Sequence, residues 1–221
     1  MSNEPMTEFP VEDITLHQGA HDPSSGEGCV MEWVSVKWLM THRGLTFTEA
    51  WAMLTDHPAC TEPLIYRAAQ VVNDRLGDDE RQRLVPLIDR LMLARRVNDP
   101  ATAKRCRVRV ACWAARSVLD LVPAEGRDVC EKAIATAEAW LRGEATEAEC
   151  HDAAANADAI ALFLWGTASA ASAAYAAADA ASADAAAYAA AAAAERDLVL
   201  WLDELIDQWD KARAEEGAMA E

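Results

Sequence analysis

The chain lacks most of the features that announce a chemistry. It has three phenylalanines, three tyrosines and nine glycines in 221 residues. No glycine-rich phosphate loop is present, because Gly26-Glu-Gly28 is too short and follows no strand. Neither Gly-x-Ser-x-Gly nor Ser-x-x-Lys occurs, which removes the two commonest serine-nucleophile signatures. No basic start leads into an apolar run, so no secretory signal is expected. The alanine-rich stretch 153–194 carries Asp158, Asp179 and Asp184, and alanine drives insertion weakly, so no membrane span is expected there. Positive charge is also scarce. Twenty Lys and Arg face 37 Asp and Glu, a net charge of −17. No segment alternates in the manner of a strand, and the expected class is all-α.

What is present is helix-forming and apolar. Hydrophobic residues make up 52 per cent, much of it alanine, so the core mass rests on Leu, Val, Ile and eight Trp. That is enough for one core or two small ones. Six cysteines without an export signal read as reduced thiols of a cytoplasmic protein. Cys106 and Cys112, six residues apart, fall on different faces of one helix; these two, Cys130 and Cys150 are expected to be buried and unreactive. Charge is unevenly spread. Residues 67–116 hold twelve Lys or Arg against six Asp or Glu, which marks either a partner surface or a basic helix neutralised by acidic neighbours.

Residues 1–13 are polar and aperiodic, as expected of a disordered tail. Ile14 to Gly28 reads as loop, with turn chemistry at Asp22-Pro23-Ser-Ser-Gly26. From Cys29 the pattern becomes helical, with Val30, Trp33, Val34 and Trp38 on one stripe, and Gly44 closes it. Thr46 and Glu49 form a capping box for a short helix to Leu54, and Asp56-His57-Pro58 ends it. Pro63 opens a helix with Leu64, Ala68, Val71 and Val72 inward. A further helix is expected at about 79–95, kinked at Pro86. Asp99-Pro100 caps a helix running to about Val122, Pro123 opens another ending at Gly143, and Thr146 with Glu149 caps a long alanine-rich one. That helix would reach the Ala189–Ala194 run, with a break at Gly166 and with Tyr175 and Tyr188 wedged between helices. A last helix shows the stripe Leu198, Trp201, Leu202, Leu205, Ile206, Trp209. The expected architecture is a loop-rich N-terminal module (14–95), an alanine-rich bundle (99–215) and an acidic tail (216–221). Small side chains let helices approach closely, so the alanine-rich face is a candidate for self-association.

The candidate site lies in the N-terminal module. Zinc takes Cys sulfur and His nitrogen tetrahedrally, and His21, Cys29, His57 and Cys60 supply four such donors in two short pairs. Glu32, one turn after Cys29, and Asp56 are candidate outer partners. Against this stands the reading in which the histidines serve turns and the cysteines serve the core. On the helix after Pro100, Lys104, Arg105, Arg107 and Arg109 form the one cluster suited to phosphates. Trp113 alone interleaves it, which speaks against single-strand stacking.

These motifs resemble a family of actinobacterial and actinophage proteins without an assigned activity. The carrying residues are Gly19-Ala-His21, Gly28-Cys29-Val-Met31-Glu32, Asp56-His57-Pro58-Ala-Cys60 and Asn73-Asp74, then Asp78-Asp-Glu80-Arg81-Gln-Arg83-Leu-Val-Pro86, over roughly residues 14–95. The chain is longer than that pattern between Glu32 and Asp56, where the Thr46–Leu54 helix would be the insertion. Trp140-Leu-Arg-Gly143-Glu-Ala-Thr and the alanine repeats are similar to helical proteins labelled as immunity proteins. Together these features predict an acidic helical interaction protein that binds a protein partner and carries a structural zinc. A metal-assisted hydrolase using the His/Cys/Glu cluster is the first alternative. A nucleic-acid binder working through residues 101–116 is the second.

Overall fold

The computed structural model describes residues 9–10, 14–163 and 197–219. Among these the protein is all-α, with helices, 3-10 turns and two isolated β-bridges but no strand. The chain packs as two compact units, Met1–Arg96 and Val97–Glu221. Most of the expected 1–13 tail and of the alanine run, with Gly166, Tyr175 and Tyr188, lies outside the described residues.

In the first unit, α1 (Val30–Arg43) packs on α2 (Phe47–Trp51), α3 (Pro63–Arg75) and α5 (Ile88–Leu93). Its first two turns, Val30 to Val36, are buried on every side, so the single stripe expected there is too narrow a description. Gly44 stops α1 at φ 66°, a left-handed conformation that suits glycine, and donates to the Met40 carbonyl. The Thr46–Glu49 capping box forms, but α2 ends at Trp51 and not at Leu54. In α3, Ile65 and Ala69 join Leu64, Ala68 and Val72 in the core, while Val71 stays half-buried.

The helix expected over 79–95 is three pieces. After α4 (Asp78–Arg81) come a 3-10 turn over Gln82–Leu87 and then α5. Pro86 sits inside the turn, where its missing N–H breaks the i→i−4 ladder.

The second unit is built from α6 (Pro100–Ser117), α7 (Ala124–Leu141), α8 (Glu147–Phe163) and α9 (Leu198–Met219). Helix α6 packs on α7 and α9, and α7 packs on α8. Asp99 caps α6 by accepting from the Thr102 amide at 2.7 Å. That helix ends at Ser117, short of Val122, in a 3-10 turn at Leu119–Leu121. Thr146 and Glu149 exchange capping bonds at the start of α8. The expected stripe of α9 is buried throughout from Leu198 to Trp209 and extends to Ala212 and Glu216. The stretch from Glu216, read as an acidic tail, continues this helix to Met219.

Candidate functional site

Glu32 is the centre of the loop-rich module. It stands three residues after Cys29, which is the N-cap of α1, and is 1% exposed. Its carboxylate accepts the Cys29 amide at 2.7 Å, the His21 amide at 2.7 Å and the His21 ring Nδ1 at 2.9 Å. A carboxylate only accepts, so Nδ1 carries the proton in this pair. The first turn of a helix favours a negative charge, and three donors satisfy the oxygens, so the buried anion is compensated locally. The other ring nitrogen of His21 lies 3.7 Å from Glu27.

The loop before α1 is pinned by side chains that reach its backbone. Gln82 accepts from the Leu16 amide at 2.9 Å and donates to the Leu16 carbonyl at 3.0 Å. Buried Asn73 donates to the His17 carbonyl at 2.8 Å and accepts from the Val30 amide at 3.2 Å. Asp74 accepts from the Gly19 amide at 2.8 Å. Buried Arg81 spans the C-terminal end of α3, donating to the carbonyls of Asn73 at 2.8 Å and Leu76 at 2.6 Å and to Asp78 at 2.7 Å. Irregular backbone must find partners when buried, and here side chains supply them.

The four proposed zinc donors are divided. His21 and Cys29 share Glu32. His57 is solvent-exposed, pairs with Asp56 and stands edge-on to Tyr66 at 5.2 Å. Gln70 ties that turn to α3 by donating to the Asp56 carbonyl at 2.9 Å and to its carboxylate at 3.2 Å. Cys60 lies half-buried with its sulfur 3.6 Å from the Thr61 hydroxyl. Among the described residues no three His, Cys, Asp or Glu side chains converge as a metal would require. Burial pushes the Cys29 thiol far above its usual range, and the neighbouring Glu32 charge adds to this. Burial raises the Cys60 thiol as well. Glu32 and Asp56, expected to support a metal, cap a helix and brace a turn.

The basic cluster of α6 is engaged within its own unit. Arg105 and Arg109 each donate from Nε to one oxygen of Glu216, both at 2.6 Å. Arg105 also donates to the Leu141 carbonyl at 2.8 Å. Lys104 pairs with Glu147 and lies 5.1 Å from the centre of the Trp140 ring. Arg107 is half-buried on the same helix. Glu216 is 4% exposed. Burial pushes its carboxyl up, but the two arginine hydrogen bonds outweigh it and hold the group below the usual glutamate range. Cys106, Cys112, Cys130 and Cys150 are all buried, and burial pushes the Cys112 thiol up to about 12.

Two features escaped the sequence reading. Glu216 falls on the α9 stripe, four residues after Ala212 and seven after Trp209, and that register was the available signal. Trp33, Phe47 and Trp51 form an aromatic triad with centroids 4.9–5.9 Å apart. Phe47 and Trp51 stand four apart in α2, which was the only local hint. Gly28 serves this triad by having no side chain: a Cβ there would fall 3.1 Å from Trp33 Nε1 and 3.3 Å from Trp51.

No protein family, curated protein or solved structure matches the chain. Among the described residues no helix is long and apolar enough to cross a membrane.

Proposed function

We propose that the protein is a cytoplasmic interaction protein that binds a basic protein partner through its acidic surface and catalyses no reaction. The observation that carries this reading is the state of the cations. Lys37, Arg81, Lys104, Arg105, Arg109 and Arg116 each pair with a carboxylate of the same chain, so six of the twenty Lys and Arg of a chain of net charge −17 are engaged internally. Such a surface attracts basic grooves and accelerates encounter with them. A nucleic-acid-binding host factor of an actinobacterium is the partner chemistry this suits, in line with the actinobacterial or phage resemblance. Nucleic acid itself is disfavoured, because a polyanion would meet like charge and arginines already paired. Catalysis is disfavoured because Glu32, the best-placed base, already accepts three hydrogen bonds.

The test is affinity capture from nuclease-treated actinobacterial lysate at stepped salt, followed by binding to each captured protein in purified form. The expected result is a basic protein whose binding weakens steeply with salt and is displaced by DNA. Capture that is insensitive to salt, or none at low salt, removes the reading.

A further inference from the structure

Between α6, α7 and α9 lies a hollow of about 300 Å³. Its apolar lining includes Leu141, Ala212 and the buried Cys112. The Trp113 indole also lines it and stacks on Trp201, with centroids 5.9 Å apart and planes 30° apart. Trp201 is fixed in turn by donating from Nε1 to the Ser117 hydroxyl at 2.9 Å. The hollow therefore has an aromatic wall held by a second ring.

Five charged groups border it: Arg109, Arg116, Lys211, Glu138 and Glu215. Arg116 donates from Nε and Nη2 to the two Glu138 oxygens, both at 2.7 Å. Arg109 is bonded to Glu216 and lies 3.5 Å from Glu215. Lys211 is exposed and has no ion pair among the described residues. Of the three cations that line the hollow, Lys211 alone has no carboxylate partner among the described residues, on a chain of net −17. Gln208 lines the hollow as well, and its amide can donate or accept.

We infer that this hollow is a binding site for a small aromatic carboxylate, with its ring against Trp113 and its acid group on Lys211. One uncompensated cation suits a monoanion, whereas Glu138 and Glu215 oppose a second negative charge. The volume is at the lower end for ligand pockets, which fits one ring system and an acid group. This inference is independent of partner binding and stands or falls alone.

The experiment titrates the full-length protein with indole-3-carboxylate by calorimetry, using indole-3-carboxamide as the neutral isostere and adenosine monophosphate as the phosphate probe. The carboxylate is expected to bind about tenfold more tightly than the carboxamide, and Lys211→Met should erase that difference, as loss of one charge-assisted bond predicts. Lys211 is exposed, so melting temperature should not change. Trp113→Leu should weaken both indoles, while Trp113→Phe, which keeps a ring, should restore most of the binding. No binding of the carboxylate overturns the inference, as does equal binding of the carboxamide. A Lys211→Met variant that still discriminates, or preference for adenosine monophosphate, also overturns it.

Discussion

The two units solve one problem by different means. The first must bury an irregular loop, and it does so with side chains that bond to backbone: Gln82 to Leu16, Asn73 to His17 and Val30, Glu32 to Cys29 and His21. The second buries helix faces, where the backbone is satisfied internally, and among the described residues its core is mostly Ala, Val, Leu, Cys, Ile and Trp with one glutamate clasp at Glu216. A residue that looks catalytic or metal-binding in a loop-rich segment is therefore under a competing demand, that of satisfying the backbone. One buried carboxylate in each unit is engaged by its own chain, Glu32 by two amides and the His21 ring and Glu216 by two arginines.

The contrast can be tested in order of expected effect. Trp209 is fully buried in α9, and Trp209→Ala should destabilise the second unit by about 3–5 kcal/mol through the lost burial and the cavity. Chemical denaturation followed by circular dichroism would measure it. Glu32→Ala should cost the first unit about 2–3 kcal/mol, because two amides and a ring N–H lose their acceptor in a buried place. The His21 ring signals in a proton NMR spectrum should shift with it. A cost below that of a surface substitution would show that the loop does not depend on this node.

Glu216→Gln should cost less, about 1–2 kcal/mol, since the two arginine side chains are about a third exposed and water screens them. This one is pH-dependent. The folded carboxyl is held below its unfolded value, so the stabilisation is present above the ordinary glutamate range and is lost as pH falls through the lower, folded value. Melting curves of the two proteins should run parallel near neutrality and converge in acid. Convergence toward alkaline pH would contradict the assignment. The smallest effect expected is none: because no three donors converge among the described residues, a strong chelator should leave the melting temperature unchanged.

The sequence was legible where its signals are local. Asp99-Pro100, Thr46 with Glu49 and Thr146 with Glu149 announce helix starts within four residues, and the structure has each cap. The α9 stripe was equally plain because the 3.6 period is written in one segment. Helix ends were less legible, since Pro86 breaks a helix where a kink was expected and Ser117 ends one early. The candidate sites were less legible for a physical reason. Cys29 with Glu32 suits a metal donor with its outer partner and also an N-cap with its N3 residue, and His21, brought in by the loop, bonds to Glu32 in the second arrangement. The arginines of α6 look free for phosphate until Glu216, 107 and 111 residues away, closes on them. Partners so distant leave no trace in spacing.

Arg81 narrows the ways this chain can change. Its guanidinium serves two backbone carbonyls at once and a carboxylate besides, from a fixed planar fork. A lysine there would carry the same charge from a single nitrogen and could not take the place of Nε and the terminal nitrogens together. The replacement that is mildest on an open surface becomes a severe one at this position, and mutational drift between the two basic residues is closed.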